Sequence, residues 1–549
     1  MPAYALALSL LVTAPLLAPG YLLLRDAVST PRSYLTDAAL GLAEAAPRAL
    51  PQDFAVALAS RLVDGGVVVK VLLVAGLWLA GWGAARLVAV VVPSAGVGGH
   101  FIAATLAIWN PYVAERLLQG HWSLLVGYGC LPWVAATVIR LRTGSGSVWA
   151  FAFWIALAGL TPTGLMLAAT VALVCVLVPG GDGWRRLRLA GLGLGITVLA
   201  AVPWLMAAGL GGAVSASPAA GIEAFAARAE PGLGTLGSLA GLGGIWNGDA
   251  VPDSRTTLFA VLATVVLLSV VAAGLPVVVR IPAAVPLLVL AAAAVLIPVA
   301  MATGPGLAFV ESVVRAVPGL GVVRDGQKWV ALAMPGYALA AAAAPQALQR
   351  LRIPAGAAAA VCCAALLAVL PDLAWGVGGQ VRAVQYPAAW TSAAATINAD
   401  PGPVAVLPPD SMRQFPWAGE APVLDPLPRW LRAEVLTTGD LSIGGQTIPG
   451  EGLRARAVQE LLLTGAPAPA LAEAGVGWVV VESGDEVTVQ RIGGSAPGAS
   501  HRPVMIAAHL LWLALLVGGA IGMAAGGHRV RNGVARSRAF ARRGVTDES

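Results

Sequence analysis

Charge is scarce in this chain: only 11% of its 549 residues are Asp, Glu, Lys or Arg, where a soluble domain carries about a quarter. With 58% hydrophobic residues and a mean hydropathy of +0.80, that excludes an ordinary soluble globule and predicts a polytopic membrane protein. Lysine is nearly absent. Two of the 34 basic residues are lysines, Lys70 and Lys328, and the rest are arginines, which together with abundant Ala and Gly fits a high-G+C bacterial genome. Cysteine is limited to Cys130, Cys175, Cys362 and Cys363, each within an apolar run, so neither a disulfide framework nor a metal site is expected. The five histidines form no H-x-x-x-H or H-E-x-x-H pattern, which removes support for zinc. No cofactor is expected, and a divalent metal lacks a supporting motif. The net charge is +6, yet six arginines lie in the last 24 residues, so the basic balance marks a tail and not a nucleic-acid-binding face.

What is abundant is apolar helix. A hydrocarbon core of about 30 Å needs about 20 apolar residues, and twelve such runs are predicted, starting near residues 3, 66, 88, 122, 148, 165, 189, 257, 283, 329, 354 and 504. The first lacks a basic n-region and a small-residue cleavage site, and is read as an uncleaved helix. Thr161-Pro162-Thr163-Gly164 predicts a turn between two short helices. Arginine placement sets the orientation: Arg86, Arg140, Arg142, Arg185, Arg186, Arg188, Arg280, Arg350, Arg352 and the tail fall on one side. Both termini are therefore expected in the cytoplasm of a multi-pass plasma-membrane protein, the tail touching anionic lipids.

The predicted domains are a transmembrane bundle over 1–375 with outer loops 25–65, 209–256 and 304–328, a soluble domain over 376–502, a last span over 503–526 and a basic tail over 527–549. Pro-rich composition and the strand candidates Val404–Leu407 and Trp478–Val481 make 376–502 a small extracytoplasmic α/β domain. Its Gln414-Phe415-Pro416-Trp417 and Leu424–Trp430 segments fit either glycan contact or loop pinning, and no G-x-S-x-G elbow points to a hydrolase.

Four segments carry candidate chemistry. Asp26 follows the first helix directly in Leu24-Arg25-Asp26, where a carboxylate meets a membrane-surface headgroup and serves as general base for an acceptor hydroxyl; an interface marker is the bland alternative. Asp37 lies eleven residues on. In Trp109 to Trp122, Asn110-Pro111 starts a short amphipathic turn presenting Tyr112, Glu115, Arg116 and Gln119, with Glu115 and Arg116 either paired in the bundle or on substrate, and His121 either a phosphate or sugar donor or a helix cap. Arg324-Asp325-Gly326-Gln327-Lys328 places two cations at a helix start, an arrangement that holds phosphate or anchors by snorkelling. Trp246-Asn247 in Gly244–Asp249 reads as a sugar-stacking surface or an interfacial turn. Gly232–Gly237 is formally G-x-G-x-x-G but lacks the preceding strand and following acid of a dinucleotide site.

An Asp after the first helix, a many-span bundle with outer loops and a late soluble domain together resemble the GT-C superfamily of integral-membrane glycosyltransferases. Gly475-Val476-Gly477-Trp478-Val479-Val480-Val481 is similar to a segment of the soluble domains of large bacterial members, and the Asn110–Trp133 and Arg324–Trp329 segments resemble polytopic envelope proteins of high-G+C bacteria. The resemblance implies a GT-C-like bundle, a polyprenyl-phosphate sugar donor, an envelope glycan or lipid acceptor and Asp26 as catalytic base. The local phosphate argument assigns the donor phosphate to Arg324 and Lys328. The chain departs from the family in having no adjacent acidic pair after the first helix. A lipid or glycan flippase and a non-catalytic assembly protein are the alternatives; intramembrane charges and paired broken helices, expected of a transporter, are not evident.

Overall fold

The computed structural model describes the chain except residues 45–48, 181–182, 211–220, 317–319, 350–351, 410, 444–445, 451 and 544–549. Parts of each predicted outer segment and the end of the basic tail thus lie outside the described residues. The architecture is mostly helical. Helices lie close to the predicted runs, among them Pro2–Thr13, Gly65–Val91, Gly96–Ile108, Trp122–Arg142 and Gly183–Leu210. Among the described residues five helices are long and apolar enough to cross a membrane, or seven when each of two bent pairs counts as one span. Pro2–Leu17, Val148–Ala158 and Pro162–Val176 are apolar but shorter. The expected break between two short helices is present: Val148–Ala158 and Pro162–Val176 are separated at 159–161, and the second helix starts where the Thr161 hydroxyl accepts from Gly164 N at 3.0 Å and Pro162 occupies a position that needs no N–H.

Small residues set the packing. Gly65–Val91 and Trp122–Arg142 approach so closely that a Cβ on Gly129 would strike the Gly76 carbonyl, the contact that small residues permit between membrane helices. Helix Gly304–Ala316 turns by 93° from the end of Val285–Met301, so it runs across the direction of that span.

The sequence between the first helix and residue 30 departs from the expected helix exit. Ala14–Leu17 tightens into a 3-10 turn, and Tyr21–Leu24 and Ala27–Val28 form an antiparallel hairpin with Leu24 opposite Ala27. Side chains alternate across a strand. Leu22 and Leu24 enter the core formed by the helices, whereas Leu23 joins Val28, Val384, Trp390, Phe415, Val423 and Trp478 in a second core, built chiefly from residues 384–480. The hairpin is a seam between two cores.

The predicted strands Val404–Leu407 and Trp478–Val481 form, the second continuing to Ser483, and pair in parallel, with Glu486–Arg491 antiparallel on the outer side. Ala383–Val384 extends the hairpin sheet by pairing with Tyr21 and Leu22. On the hairpin's other end, Val423–Leu424 bridges Arg25: Arg25 N donates to Pro422 O and Leu424 N to Arg25 O, both at 2.9 Å.

Candidate functional site

Asp26 stands at the tip of the hairpin. Its neighbour Arg25 adopts a left-handed backbone, φ +48°, which costs about 1 kcal/mol or more and is held in place by the two strand bonds just described. The Arg25 guanidinium is buried and donates to the carbonyls of Leu118, at 2.7 Å, and Asp249.

Opposite the tip lies the turn between helices Pro111–Leu118 and Trp122–Arg142. Asn110 caps the first of these, its side chain accepting from Val113 N at 3.1 Å, as Asn before Pro at a helix start favours. The next turn depends on Gly120, φ +83°, where a Cβ would collide with Ala27 N and Leu24 O. This contact delivers Gln119 and His121 to Asp26. Gln119 Nε2 and His121 Nε2 both reach Asp26 Oδ2 at 3.0 Å, and Asp26 N donates to Gln119 O at 3.2 Å. The other oxygen, Oδ1, has no hydrogen-bond partner among the described residues, and 43% of the side-chain surface is open. Gly120→Ala is expected to destabilise the chain by about 1–3 kcal/mol and to displace Asp26 from His121; a thermal melt of the solubilised protein checks the first effect and transfer activity the second.

The tautomer of His121 follows from its neighbour. Arg116 Nη1 lies 3.1 Å from His121 Nδ1, and a guanidinium only donates. Nδ1 is therefore the acceptor, and the proton sits on Nε2, facing Asp26. Burial lowers the His121 pKa against the opposing effect of Asp26, so the ring is neutral and the contact is a hydrogen bond. Burial would raise the Asp26 pKa, but the bonds from His121 and Gln119 and the charge of Lys328 hold it at about 2. Asp26 is ionised at every physiological pH.

Behind this pair is a buried ion network. Arg116, fully buried, forms a bidentate pair with Asp325, Nη1 to Oδ2 at 2.9 Å and Nη2 to Oδ1 at 3.1 Å, and also contacts Gln327 Oε1. Burial opposes ionisation of Asp325, yet Arg116 and Lys328 hold its carboxyl well below the usual range. Lys328 Nζ lies 3.6 Å from Asp325 Oδ2 and keeps 23% of its side chain exposed. Glu115, also fully buried, accepts from Gly244 N at 3.0 Å, Ile245 N at 3.1 Å and Gln327 Nε2 at 2.9 Å. Arg255 and Glu230 pair beside it, Nε to Oε1 at 3.0 Å.

Of the residues singled out in the sequence, Asp26, His121, Arg116, Asp325 and Lys328 thus form one connected chain. Glu115 belongs to its buried foundation and offers no open oxygen. Asn247 supports it at one remove: its Nδ2 donates to Gln119 Oε1 at 2.8 Å. Trp246 packs on Phe225 with ring centroids 4.6 Å apart, and the Arg324 guanidinium lies 4.0 Å from the centre of the same Phe225 ring. Beside Arg324 lies a shallow depression of about 10 Å³, room for about one water, lined by Ile222, Ala227, Pro298, Met301 and Val310. Asp37 is bound elsewhere. Its carboxylate pairs with Arg502 and accepts from Ala499 N at 3.0 Å, tying the first loop to the start of the last helix. Among the described residues no three His, Cys, Asp or Glu side chains converge as metal ligands. A larger cleft, about 40 Å³ between Val138, Phe151, Leu173 and Leu189, is apolar and carries no reactive group.

The sequence reading quoted Gln119 and Gln327 without assigning them to the site, and did not single out Arg25 as a site residue, nor Glu230 or Arg255. Gln119 was reachable by spacing, since it lies on the helical face of Glu115 and Arg116. Arg25, Glu230 and Arg255 depend on contacts between segments far apart in the chain, which no local pattern encodes.

No known family model matches this sequence, and no curated protein matches it. Among solved structures it is similar to a mutant of the arabinofuranosyltransferase AftD from mycobacteria, determined by single-particle cryo-EM, at 21% identity and a TM-score of 0.51. The likeness covers 87% of this chain but 36% of that one, so this chain spans about a third of the neighbour's length. At that identity the shared property is the fold alone.

Proposed function

We propose that this chain is an integral-membrane glycosyltransferase of the cell envelope, with twelve membrane-crossing or membrane-embedded helices, cytoplasmic termini and its site on the outer face. The observation that carries the reading is the division of labour on Asp26: Oδ2 takes both positioning hydrogen bonds and Oδ1 stays open at the mouth of the site. A carboxylate so held can accept the proton of an acceptor hydroxyl while that oxygen attacks the anomeric carbon of the donor. The donor is a polyprenyl-phosphate sugar and the acceptor an envelope glycan or lipid. Lys328 and Arg324 supply the positive charge that stabilises the departing phosphate. The GT-C-like fold and the arabinofuranosyltransferase neighbour support this assignment.

The test is incorporation of label from a panel of radiolabelled polyprenyl-phosphate sugars into envelope acceptors, by membranes containing or lacking the chain. One product that appears only with the chain names the donor. Equal labelling in both membranes overturns the reading.

The role of His121 yields a pH signature. Its hydrogen bond lowers the Asp26 pKa, so His121→Ala returns that pKa towards the ordinary aspartate value of about 4. Activity that needs the ionised carboxylate is present above the pKa and lost below it. The variant is expected to show an acid limb centred near pH 4 that the wild type lacks; coincident pH profiles would remove His121 from this role.

A further inference from the structure

A second ionisable cluster lies inside the α/β domain, away from the Asp26 carboxylate. Arg413 sits between two carboxylates: its Nε donates to Glu482 Oε2 at 2.8 Å, and its Nη2 lies 3.6 Å from Asp425 Oδ2. The three are 5%, 8% and 2% exposed respectively. If both acids were ionised the cluster would hold a net negative charge in a buried place, which is costly. The other charged neighbour is already engaged, Arg429 pairing with Asp53 at 3.1 Å, and the Tyr386 hydroxyl donates to Ser29 O at 2.9 Å. Asp425 Oδ1 caps Leu427 N at 2.8 Å. Asp425 Oδ2 and Glu482 Oε1 are both buried acceptors without a hydrogen-bond donor among the described residues.

Arg413 Nη1 and Ser411 Oγ are buried without a hydrogen-bond partner as well and do not reach these oxygens, so one proton answers the surplus charge and gives one of the two acids its own donor. We propose that Asp425 and Glu482 hold a single shared proton at neutral pH, forming a proton-binding site whose discharge loosens the strand that clamps the Asp26 hairpin. The connection is short. Arg413 pairs in register with Val423, and the adjacent Leu424 N donates to Arg25 O, the residue next to Asp26. Burial raises both carboxyls, Glu482 to about 8 with the Asp425 charge adding and Arg413 opposing. For a carboxyl raised on folding, the stabilisation is complete below the unfolded value of about 4.3 and is lost progressively as pH rises to the folded value. The clamp is therefore firm in acid and slack in mild alkali.

Hydrogen–deuterium exchange of the full chain in detergent micelles tests this at pH 6 and pH 8.5, with rates corrected for intrinsic chemistry. In the wild type, peptides covering 21–28, 411–425 and 478–483 are expected to lose protection by about tenfold or more between the two conditions, since each pH unit in the window changes the opening equilibrium by up to about tenfold. Glu482→Gln keeps an acceptor for Arg413 and supplies the missing N–H donor, so it imitates the protonated state and its protection is expected to stay at the wild-type pH 6 level throughout. Asp425→Asn, which keeps the Leu427 cap, gives the same reading if the first variant folds poorly. A wild type indifferent to pH, or variants with an unchanged pH response, would overturn the proposal. The readout needs no enzymatic activity, so it succeeds or fails independently of the assigned reaction.

Discussion

Asp26→Asn is expected to lower transfer by about a hundredfold to ten-thousandfold, the range for loss of a positioned general base, while leaving expression, membrane insertion and melting temperature near wild type. The geometry makes this substitution clean. Asparagine keeps one oxygen to accept from Gln119 Nε2 and His121 Nε2, both now at 3.0 Å from the same carboxylate oxygen, and the hairpin's backbone bonds to Pro422 and Leu424 do not involve the side chain. What is lost is the negative oxygen on the open side. Single-turnover transfer with the identified donor is the measurement. Retention of full activity would show that the proton leaves by another route.

Arg116→Met is expected to be the most damaging substitution for folding. It removes one guanidinium that serves Asp325 through two bonds, Gln327 and the His121 ring. Asp325, 3% exposed, is then a buried carboxylate whose nearest remaining cation is Lys328 at 3.6 Å. Stranding one member of a buried ion pair costs about 3–5 kcal/mol. The double variant Arg116→Met with Asp325→Leu removes both charges and is expected to melt higher than Arg116→Met alone, because an apolar pair avoids the desolvation penalty. Activity should not return with stability, since His121 has lost the donor that fixes its tautomer. Thermal unfolding and transfer assays on the three proteins separate these effects.

Much of this could be read from the chain, for identifiable reasons. Asn110-Pro111 marks the end of one helix and the short turn after it whatever surrounds it, and the strands at 404 and 478 are short β-branched runs bounded by Pro and Gly. Asp26 stood out because a charge beside an apolar run is rare in so uncharged a chain. Its setting was hidden. Tyr21–Leu24 continues the hydrophobicity of the first helix, and a strand buried on both faces has no polar alternation to betray it. The segment Gly304–Ala316 reads as part of an outer loop although it is a helix turned by 93° from Val285–Met301. Asp37 and Glu115 were noticed for their charge, but only the fold reveals that Arg502 and three N–H donors occupy them.

The hairpin seam also imposes an order on biosynthesis. Ser29 and its partner Tyr386 are 357 residues apart in the chain, and the strands that flank Tyr21 and Arg25 come from residues 383–424. At about 5–20 residues per second, the ribosome needs on the order of half a minute to supply them after the hairpin emerges. During that interval the Asp26 tip has neither its clamp nor its second core, so a nascent or truncated chain is expected to lack the proposed transferase activity until the late strands arrive.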